Sequence, residues 1–303
     1  MKLLFNYLIF PGFLFSACVG LMAGWLERKV SARVQWRKGP PWHQNFTDII
    51  KLTSKETILP EGAKWTFLLA PYFGLVSAVL AATMLGLALI QPGLSPSGDL
   101  IVLLYLLVMP AAALIIGASG SGNPLASVGA SREMKLVLGY ELPFILAVVA
   151  VVIKAGGSIS LGEIVAFQAG SGSFLYSFSG FLALIVIIFC AQAKVGFAPF
   201  EVSEAEQEIM AGALIEYSGL SLAIFKLTKA VMLYTMPLFL SVLFLGKDLS
   251  FGMLTLKFII FLVVMILIKN TNPRLRIDQA MRFFWGPVTI IALLATGLAL
   301  LGK

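Results

Sequence analysis

Residues 65–90 read WTFLLAPYFGLVSAVLAATMLGLALI, a run of 26 residues without a charged side chain. A helix needs about 20 mostly apolar residues to cross the hydrocarbon core of a bilayer. Seven other runs of this kind occur, so the sequence predicts an all-α polytopic membrane protein, with residues 1–303 as a single membrane domain. The predicted spans are about 3–26, 65–90, 99–118, 134–155, 176–197, 219–245, 250–268 and 283–302.

The composition supports this class. Of 303 residues, 59% are hydrophobic and 12% charged, and the mean hydropathy is +0.95. Soluble domains carry about 25% charged residues, so a cytosolic enzyme, a disordered chain and a disulfide-stapled secreted module are excluded. Two cysteines in apolar runs and the single His43 form no ligand cluster. We therefore expect no metal site, no catalytic residue and no redox centre in this chain.

The basic residues predict the orientation of the spans. Fifteen of the 22 Lys and Arg residues fall in the loops after odd-numbered spans, and only four in the other loops and the termini. The positive-inside rule then places the odd-numbered loops in the cytoplasm and, with eight spans, both termini outside. We expect a multi-pass protein of the cell membrane, whose basic first loop contacts anionic lipid and which binds no nucleic acid.

The first odd-numbered loop contains an amphipathic pattern. Phe46, Ile49, Ile50 and Thr53 recur at helical spacing, and Asn45 is the expected N-cap. This pattern predicts an interfacial helix that rests on lipid or supports a partner subunit, and the residues favour neither alternative.

The third loop is rich in glycine over residues 117–124 and continues through 129–133. A nucleotide-binding loop is excluded, because the segment follows a membrane helix rather than a β-strand. We expect a flexible loop that contains a buried pair between Arg132 and Glu133.

The fifth loop is acidic where topology favours basic residues. Its glutamates are Glu201, Glu204, Glu206, Glu208 and, further on, Glu216. Glu206 is expected to form a capping box with Ser203. Glu204 and Glu208 stand four residues apart, so we expect like charges on one helix face, able to pass protons or respond to nearby charge.

Charged residues also occur inside predicted spans. Glu141 in the fourth span precedes Pro143, which can open the helix to water or to a partner. A carboxylate there costs about 2.5–3.5 kcal/mol, so we expect it to be functional. Lys226 and Lys229 in the sixth span share one side and can pair with the glutamates, whereas Lys257 is close enough to the outer rim to snorkel.

Five motifs occur in order and resemble one family. They are ERKVSARVQWRKGP at 27–40, GASRE at 129–133, YELP at 140–143, PFEVSEAEQE at 199–208 and EYSG at 216–219. Together they resemble the family of respiratory complex I subunit 1, also called the H subunit, which includes the membrane anchors of energy-converting nickel–iron hydrogenases. The resemblance covers nearly the whole chain.

The resemblance implies eight helices beneath a peripheral redox arm and an acidic path that leads toward antiporter-like subunits. By motif match, the coupling residues are Glu141, Glu201, Glu204, Glu206, Glu208 and Glu216. Lys226 and Lys229 join them as expected partners because of their position in the sixth span. The residues expected to contact partner subunits are Arg28, Arg33, Arg37, Arg132 and Glu133.

The first loop passes directly from Gly39 into the amphipathic segment, a shortened form that looks like the hydrogenase-linked branch. The expected function is a non-catalytic anchor that couples ferredoxin-driven chemistry to proton or sodium movement. The implied partners are hydrogenase-like large and small subunits, a ferredoxin-like iron–sulfur subunit and antiporter-like membrane subunits. Iron–sulfur clusters, and a nickel–iron centre in the hydrogenase branch, belong to those partners.

Three alternatives stay open. One is the quinone-binding subunit of an NADH- or ferredoxin-quinone oxidoreductase, although the shortened first loop weakens the case for a bound quinone. Another is the equivalent subunit of a sulfur-reducing complex, which nothing in the chain discriminates against. A stand-alone secondary transporter is the third, but such transporters are commonly built from inverted repeats, and the sequence shows no internal repeat.

Overall fold

The structure is a computed structural model that describes residues 2–204, 206–210, 212–248 and 250–302, and within them it is helical without β-strands. Thirteen α-helices are described in this part of the chain. They are α1 (Lys2–Leu8), α2 (Phe13–Val34), α3 (Gln44–Thr53), α4 (Trp65–Ile90), α5 (Asp99–Ser119), α6 (Pro124–Lys154), α7 (Leu161–Ser171), α8 (Phe178–Val195), α9 (Glu206–Ile209), α10 (Gly219–Phe244), α11 (Phe251–Thr271), α12 (Ile277–Phe283) and α13 (Thr289–Leu300). A π-helical turn at 284–288 joins α12 to α13.

Eight segments are long and apolar enough to cross a membrane, which confirms the predicted all-α, eight-span class. They are Leu4–Val34, Trp65–Ile90, Asp99–Ser119, Pro124–Lys154, Phe178–Val195, Gly219–Phe244, Phe251–Thr271 and Ile277–Leu300. Successive spans run in opposite directions. The loops after odd-numbered spans therefore share one end of the bundle, called the odd-loop end below, and the remaining loops share the even-loop end. The side of the membrane that each end faces stays a prediction.

Two helices extend into segments that were predicted as loops. α2 continues to Val34, so Arg28 and Arg33 are helical. α6 begins at Pro124 instead of near residue 134, and the expected flexible loop shrinks to residues 120–123. Hydropathy reports only where side chains become polar. The backbone hydrogen bonds of a helix extend in both directions until a capping residue marks its start or its end.

The start of α6 is marked by Asn123 and Pro124. The Asn123 side chain accepts a hydrogen bond from the Leu125 N–H at 2.8 Å. Proline at the first helical position lacks only an N–H that would have no helical partner there. The cap therefore starts the helix ten residues before the predicted span, and it makes the polar 129–133 segment helical.

α10 is the central helix of the bundle. Its most apolar stretch is 83% buried, against 28% for the spans formed by α5, α11 and α12–α13. α10 packs against α2, α3, α4, α8 and α11. Small residues permit close approach: a Cβ at Gly20 of α2 would meet the Ala230 carbonyl oxygen of α10 at 2.3 Å. The odd-loop end of α10 carries Lys226 and Lys229, which places both lysines near the middle of the bundle.

The even-loop end holds a helix, α7, within the Gly- and Ser-rich stretch expected as a longer outer segment. Asp99, which is buried, receives a hydrogen bond from the Leu161 N–H at 2.8 Å and another from the Ser95 hydroxyl. The Gly162 N–H donates to Ser95 Oγ at 3.3 Å. The start of α7 is thereby capped by side chains from another loop, which replaces the intrahelical acceptors that its first N–H groups lack.

Lys257 also lies at the even-loop end, where snorkelling to the outer rim was expected. Instead its side chain turns back onto the end of α10. Its ammonium donates to the carbonyl oxygens of Leu245 at 2.7 Å and Asp248 at 3.0 Å, and also to that of Lys247. Lys257 is buried, and it satisfies carbonyl groups of the C-cap and the turn that follows α10.

We predict that Asp99→Ala destabilises the even-loop end. The change leaves the buried Leu161 N–H without its acceptor, at a cost of about 1–3 kcal/mol. The midpoint of thermal unfolding of the purified protein in detergent should fall by several degrees. Asp278→Ala is the matched control, because Asp278 is an exposed acidic residue in the first turn of α12. Equal midpoints for the two variants would contradict the capping role.

Candidate functional site

A cavity of about 400 Å³ opens at the odd-loop end among α2, α3, α5, α6, α8, α10 and α11. Its walls carry five acidic and five basic side chains among the described residues, in a chain with 12% charged residues overall. These are Glu27, Arg28, Asp48, Glu133, Lys194, Glu201, Glu204, Lys226, Lys229 and Lys269. Charged groups concentrated in a concave site near the membrane indicate function, so this cavity is the candidate site.

Lys229 of α10 forms ion pairs with two glutamates of the cavity wall. Its ammonium lies 3.0 Å from the Glu204 carboxylate and 3.9 Å from that of Glu201. Glu201 also pairs with Arg274, at 3.0 Å. Glu201 therefore stands between two cations, and a small movement of either side chain would change which cation pairs with it.

A second pair joins Lys194 of α8 to Glu141 of α6, with 2.7 Å between the ammonium and the carboxylate. The Lys194 side chain is fully buried, whereas 21% of the Glu141 side chain is exposed. Glu141 thus sits within its span beside a cation, which lowers the cost of burying the carboxylate.

A third pair joins Glu27 of α2 to Lys269 of α11, at 2.8 Å. Ser31 donates a hydrogen bond to the same carboxylate at 3.3 Å. The Lys269 ammonium lies 4.5 Å from the centre of the Phe197 ring. The pair therefore links the first and seventh spans to the segment that leads into the acidic loop.

The expected pair between Arg132 and Glu133 is wrong. The two residues are neighbours in α6 and point to different surroundings: Arg132 pairs with Glu208, while Glu133 is buried at the cavity wall. Glu133 interacts there with the Ser203 hydroxyl and with the charges of Glu204 and Lys229. Consecutive residues on a helix are 100° apart, so one can face the cavity while the next faces outward.

The acidic loop departs from its predicted geometry. α9 begins only at Glu206, so Glu204 precedes the helix and does not share a face with Glu208. The two carboxylates have separate partners, Lys229 and Arg132, and the expected like-charge pair is absent. Ser203 also lies too far before the helix for the capping box. The side chain of Glu206 lies outside the described part of the chain.

Glu216 accepts a hydrogen bond from the Asn123 side chain, which connects the end of the acidic loop to the cap of α6. Next to it, the Tyr217 ring stacks on Phe67 at 4.2 Å, and its hydroxyl donates to the Phe67 carbonyl oxygen at 3.1 Å. Burial raises the pKa of Tyr217. This packed aromatic pair anchors the loop to α4.

Arg28 pairs with Asp48 of α3 at 3.2 Å. Burial opposes ionisation of Asp48, but hydrogen bonds from Gln44 and Arg28 outweigh it and hold the pKa of Asp48 below its ordinary value. Arg33 and Arg37 are exposed beyond the cavity. Contact of these arginines with a partner subunit stays a prediction.

Lys226 differs from Lys229, although both were expected to pair with glutamates. It is exposed toward the cavity. No carboxylate of a side chain that the structure describes lies within 4.0 Å of its ammonium. Its charge nevertheless contributes to the lowered pKa of Asp48.

The amphipathic helix α3 covers one side of the cavity. Asn45 was expected as its N-cap, but the helix starts at Gln44 with His43 in the cap position. Asn45 is buried instead, and its amide donates to the Leu21 carbonyl oxygen of α2 at 2.8 Å. Gly24 makes room for this contact, since a Cβ there would lie 3.0 Å from the Asn45 amide nitrogen. α3 is therefore docked on α2 and α10 through one face.

Several site residues were missed from sequence. Lys194, Lys269 and Arg274 were counted only as basic residues that set topology. A lone lysine in the last turn of an apolar helix, as at 194, is the one signal that could have drawn attention. Glu27 gave no such signal, because its partner Lys269 is 242 residues away along the chain.

The sequence matches the family model described as NADH dehydrogenase over residues 7–300. The chain is 34% identical to the H subunit of NADH-quinone oxidoreductase from Thermomicrobium roseum, with 98% of this chain and 95% of that protein covered. It is 33% identical to the same subunit of a Geobacillus species, with 88% and 84% covered. Among solved structures, it matches a chain of the membrane-bound sulfane sulfur reductase, an archaeal respiratory membrane complex, with a TM-score of 0.88, 30% identity and coverage of 99% and 100%.

We predict that Asn45→Ala loosens α3. The variant loses a buried hydrogen bond and leaves the Leu21 carbonyl without this donor, so amide hydrogen exchange in α3 should become about tenfold faster. Thr53→Ala, at the exposed end of the same helix, is the control. Unchanged exchange in the Asn45 variant would show that α3 is held by its apolar face alone.

Proposed function

The chain belongs to the NADH dehydrogenase family, which includes the H subunit of NADH-quinone oxidoreductase, and we propose that it is the membrane anchor and coupling subunit of a respiratory complex. In this proposal the electron-transfer centres, including iron–sulfur clusters, lie in partner subunits. The odd-loop end faces the cytoplasm, where those partners dock, and both termini lie outside the cell membrane.

The observation that carries the proposal is the set of paired charges between the acidic loop and the fourth span. Glu201 and Glu204 share Lys229 at the cavity, and Glu141 pairs with Lys194 deeper in the bundle. Each carboxylate can exist as an ion pair or, with a proton, as a neutral acid. A charge that arrives in the partner above the cavity would shift that balance, and this links electron transfer to ion movement.

The finer assignment concerns the electron acceptor. The shortened first loop supports a ferredoxin-driven complex of the hydrogenase type, with hydrogenase-like and antiporter-like partners and a nickel–iron centre in the large subunit. The full-length match to a sulfane sulfur reductase chain supports the sulfur-reducing alternative. The relatives described as subunits of NADH-quinone oxidoreductase support the quinone-reducing alternative. We favour the hydrogenase-related group, with a sulfur compound or protons as acceptor.

The coupling proposal predicts the effect of neutral variants. Glu141→Gln and Glu204→Gln remove a titratable carboxylate but keep its shape and an amide oxygen that can accept from the paired lysine, and assembly of each variant complex is measured before ion uptake. Uptake of protons or sodium per electron, measured in sealed vesicles, should fall at least about tenfold, because a single proton carrier in series limits the whole path. Glu163→Gln at the exposed even-loop end is the matched control. Ion uptake that survives both changes would refute the acidic path.

The acceptor is tested on the intact complex purified through this chain. A hydrogenase should contain nickel and evolve hydrogen from reduced ferredoxin. A sulfur-reducing complex should lack nickel and release sulfide from polysulfide, and a quinone reductase should oxidise its donor only with added quinone. Production of sulfide without hydrogen would overturn the nickel–iron assignment and leave the coupling role intact.

A further inference from the structure

Lys194 is the cation most completely enclosed among those that line the cavity. None of its side-chain surface is exposed, and its ammonium lies 2.7 Å from the Glu141 carboxylate. The ammonium also lies 4.8 Å from the centre of the Tyr140 ring and 4.5 Å from that of Phe144. An enclosed lysine between two rings and one carboxylate has few alternative positions, so its geometry toward Glu141 is well defined.

Lys194 belongs both to the cavity wall and to the ion pair with Glu141. Lys194 lies on the cavity wall together with Glu133 and Glu204, whereas Glu141 does not line the cavity. The exposed part of the Glu141 side chain therefore opens on another surface of the bundle. Among the described residues of the cavity wall, Lys194 is the one that forms an ion pair with Glu141.

The Tyr140 hydroxyl is a second feature of the same place. It is fully buried and has no hydrogen-bond partner among the described residues. The charges of both Glu133 and Glu141 act on it. A polar group that is left unpaired in the interior of a bundle is costly. The Tyr140 ring packs against Phe284, while its hydroxyl adds a polar group to the surroundings of the Lys194–Glu141 pair.

We propose that Lys194 carries protons between the cavity and Glu141, an inference that rests on the proposed coupling function. In the transfer step an N–H bond of the Lys194 ammonium breaks and an O–H bond forms on the Glu141 carboxylate. The neutral amine then takes a proton from a protonated carboxyl group or a hydronium ion on the cavity side, which loses it, and the Glu141 acid releases its proton at the exposed part of its side chain. The pair is neutral overall before and after the first transfer, so no net charge is created in the low-dielectric interior.

The alternative is that Lys194 is only a fixed positive charge that holds Glu141 in place. Two substitutions separate these roles. Arginine keeps the charge but does not release a proton in proteins, whereas histidine takes up and releases a proton. A proton carrier tolerates histidine better than arginine, and a fixed charge shows the opposite order.

The test uses the intact complex in sealed vesicles, with ion uptake per electron as the readout. Because arginine retains its proton, Lys194→Arg should lower this ratio at least about tenfold, while Lys194→His should stay within about threefold of the parent. Lys154→Arg is the control for the added guanidinium, because Lys154 is the last residue of α6 and lies at the even-loop end. If arginine supports uptake as well as lysine does, or better than histidine does, the proposal is wrong.

Two further variants, Lys194→Met and the double variant Lys194→Met/Glu141→Gln, cover the case in which Lys194→Arg does not assemble. The double variant removes both charges, so it tests whether the complex assembles without a buried unpaired ion. Lys194→His, in a chain that retains Glu141, then has to support uptake, or the carrier role fails. Loss of uptake in Glu141→Gln together with normal uptake in Lys194→Met would overturn this inference alone, whereas normal uptake in Glu141→Gln would overturn the coupling function itself.

Discussion

A charged side chain in the hydrocarbon interior of a membrane costs about 2.5–3.5 kcal/mol unless a partner compensates for it, and the structure follows this constraint throughout. Lys194 and Glu141 neutralise each other, as do Lys269 and Glu27. Lys257 instead donates to carbonyl groups of the turn that follows α10. These partners lie on other helices or in the turn after α10, so the contacts also hold neighbouring helices together.

Close helix packing makes the charged cavity possible. Without a hydrophobic driving force between helices in lipid, small residues allow the backbone contacts that hold a bundle together. Gly20 brings α2 onto α10, and Gly24 admits Asn45 of α3. Gly24 and Ala230 themselves line the cavity, next to charged side chains of the same helices such as Glu27 and Lys229.

The charges around that cavity are arranged so that partners can be exchanged. Glu201 stands between Lys229 and Arg274, and Glu204 competes with it for Lys229. Glu133 lies in the field of the same lysine. A network in which one cation serves several carboxylates responds to an added proton at any of them, because the remaining carboxylates strengthen their own pairing. This property suits the proposed coupling of distant electron transfer to ion movement.

Local patterns were sufficient to identify the membrane spans and the helical class, since length and hydropathy decide whether a segment crosses a bilayer. They were also sufficient to select Glu141 and the acidic loop as unusual, because a carboxylate in either place contradicts the expected composition. They misplaced the start of α6, where the Asn123 cap outweighs polarity, and they paired Arg132 with its neighbour Glu133.

The partners of the acidic residues could not be predicted from local patterns. Glu27 and Lys269 are 242 residues apart, and Lys194 meets Glu141 from a different helix. Sequence by itself determined that this chain is an eight-span helical membrane protein with acidic charge in unexpected places. Only the tertiary structure decided which cation faces each carboxylate, because ion pairing acts over a few ångströms between side chains that helix packing brings together.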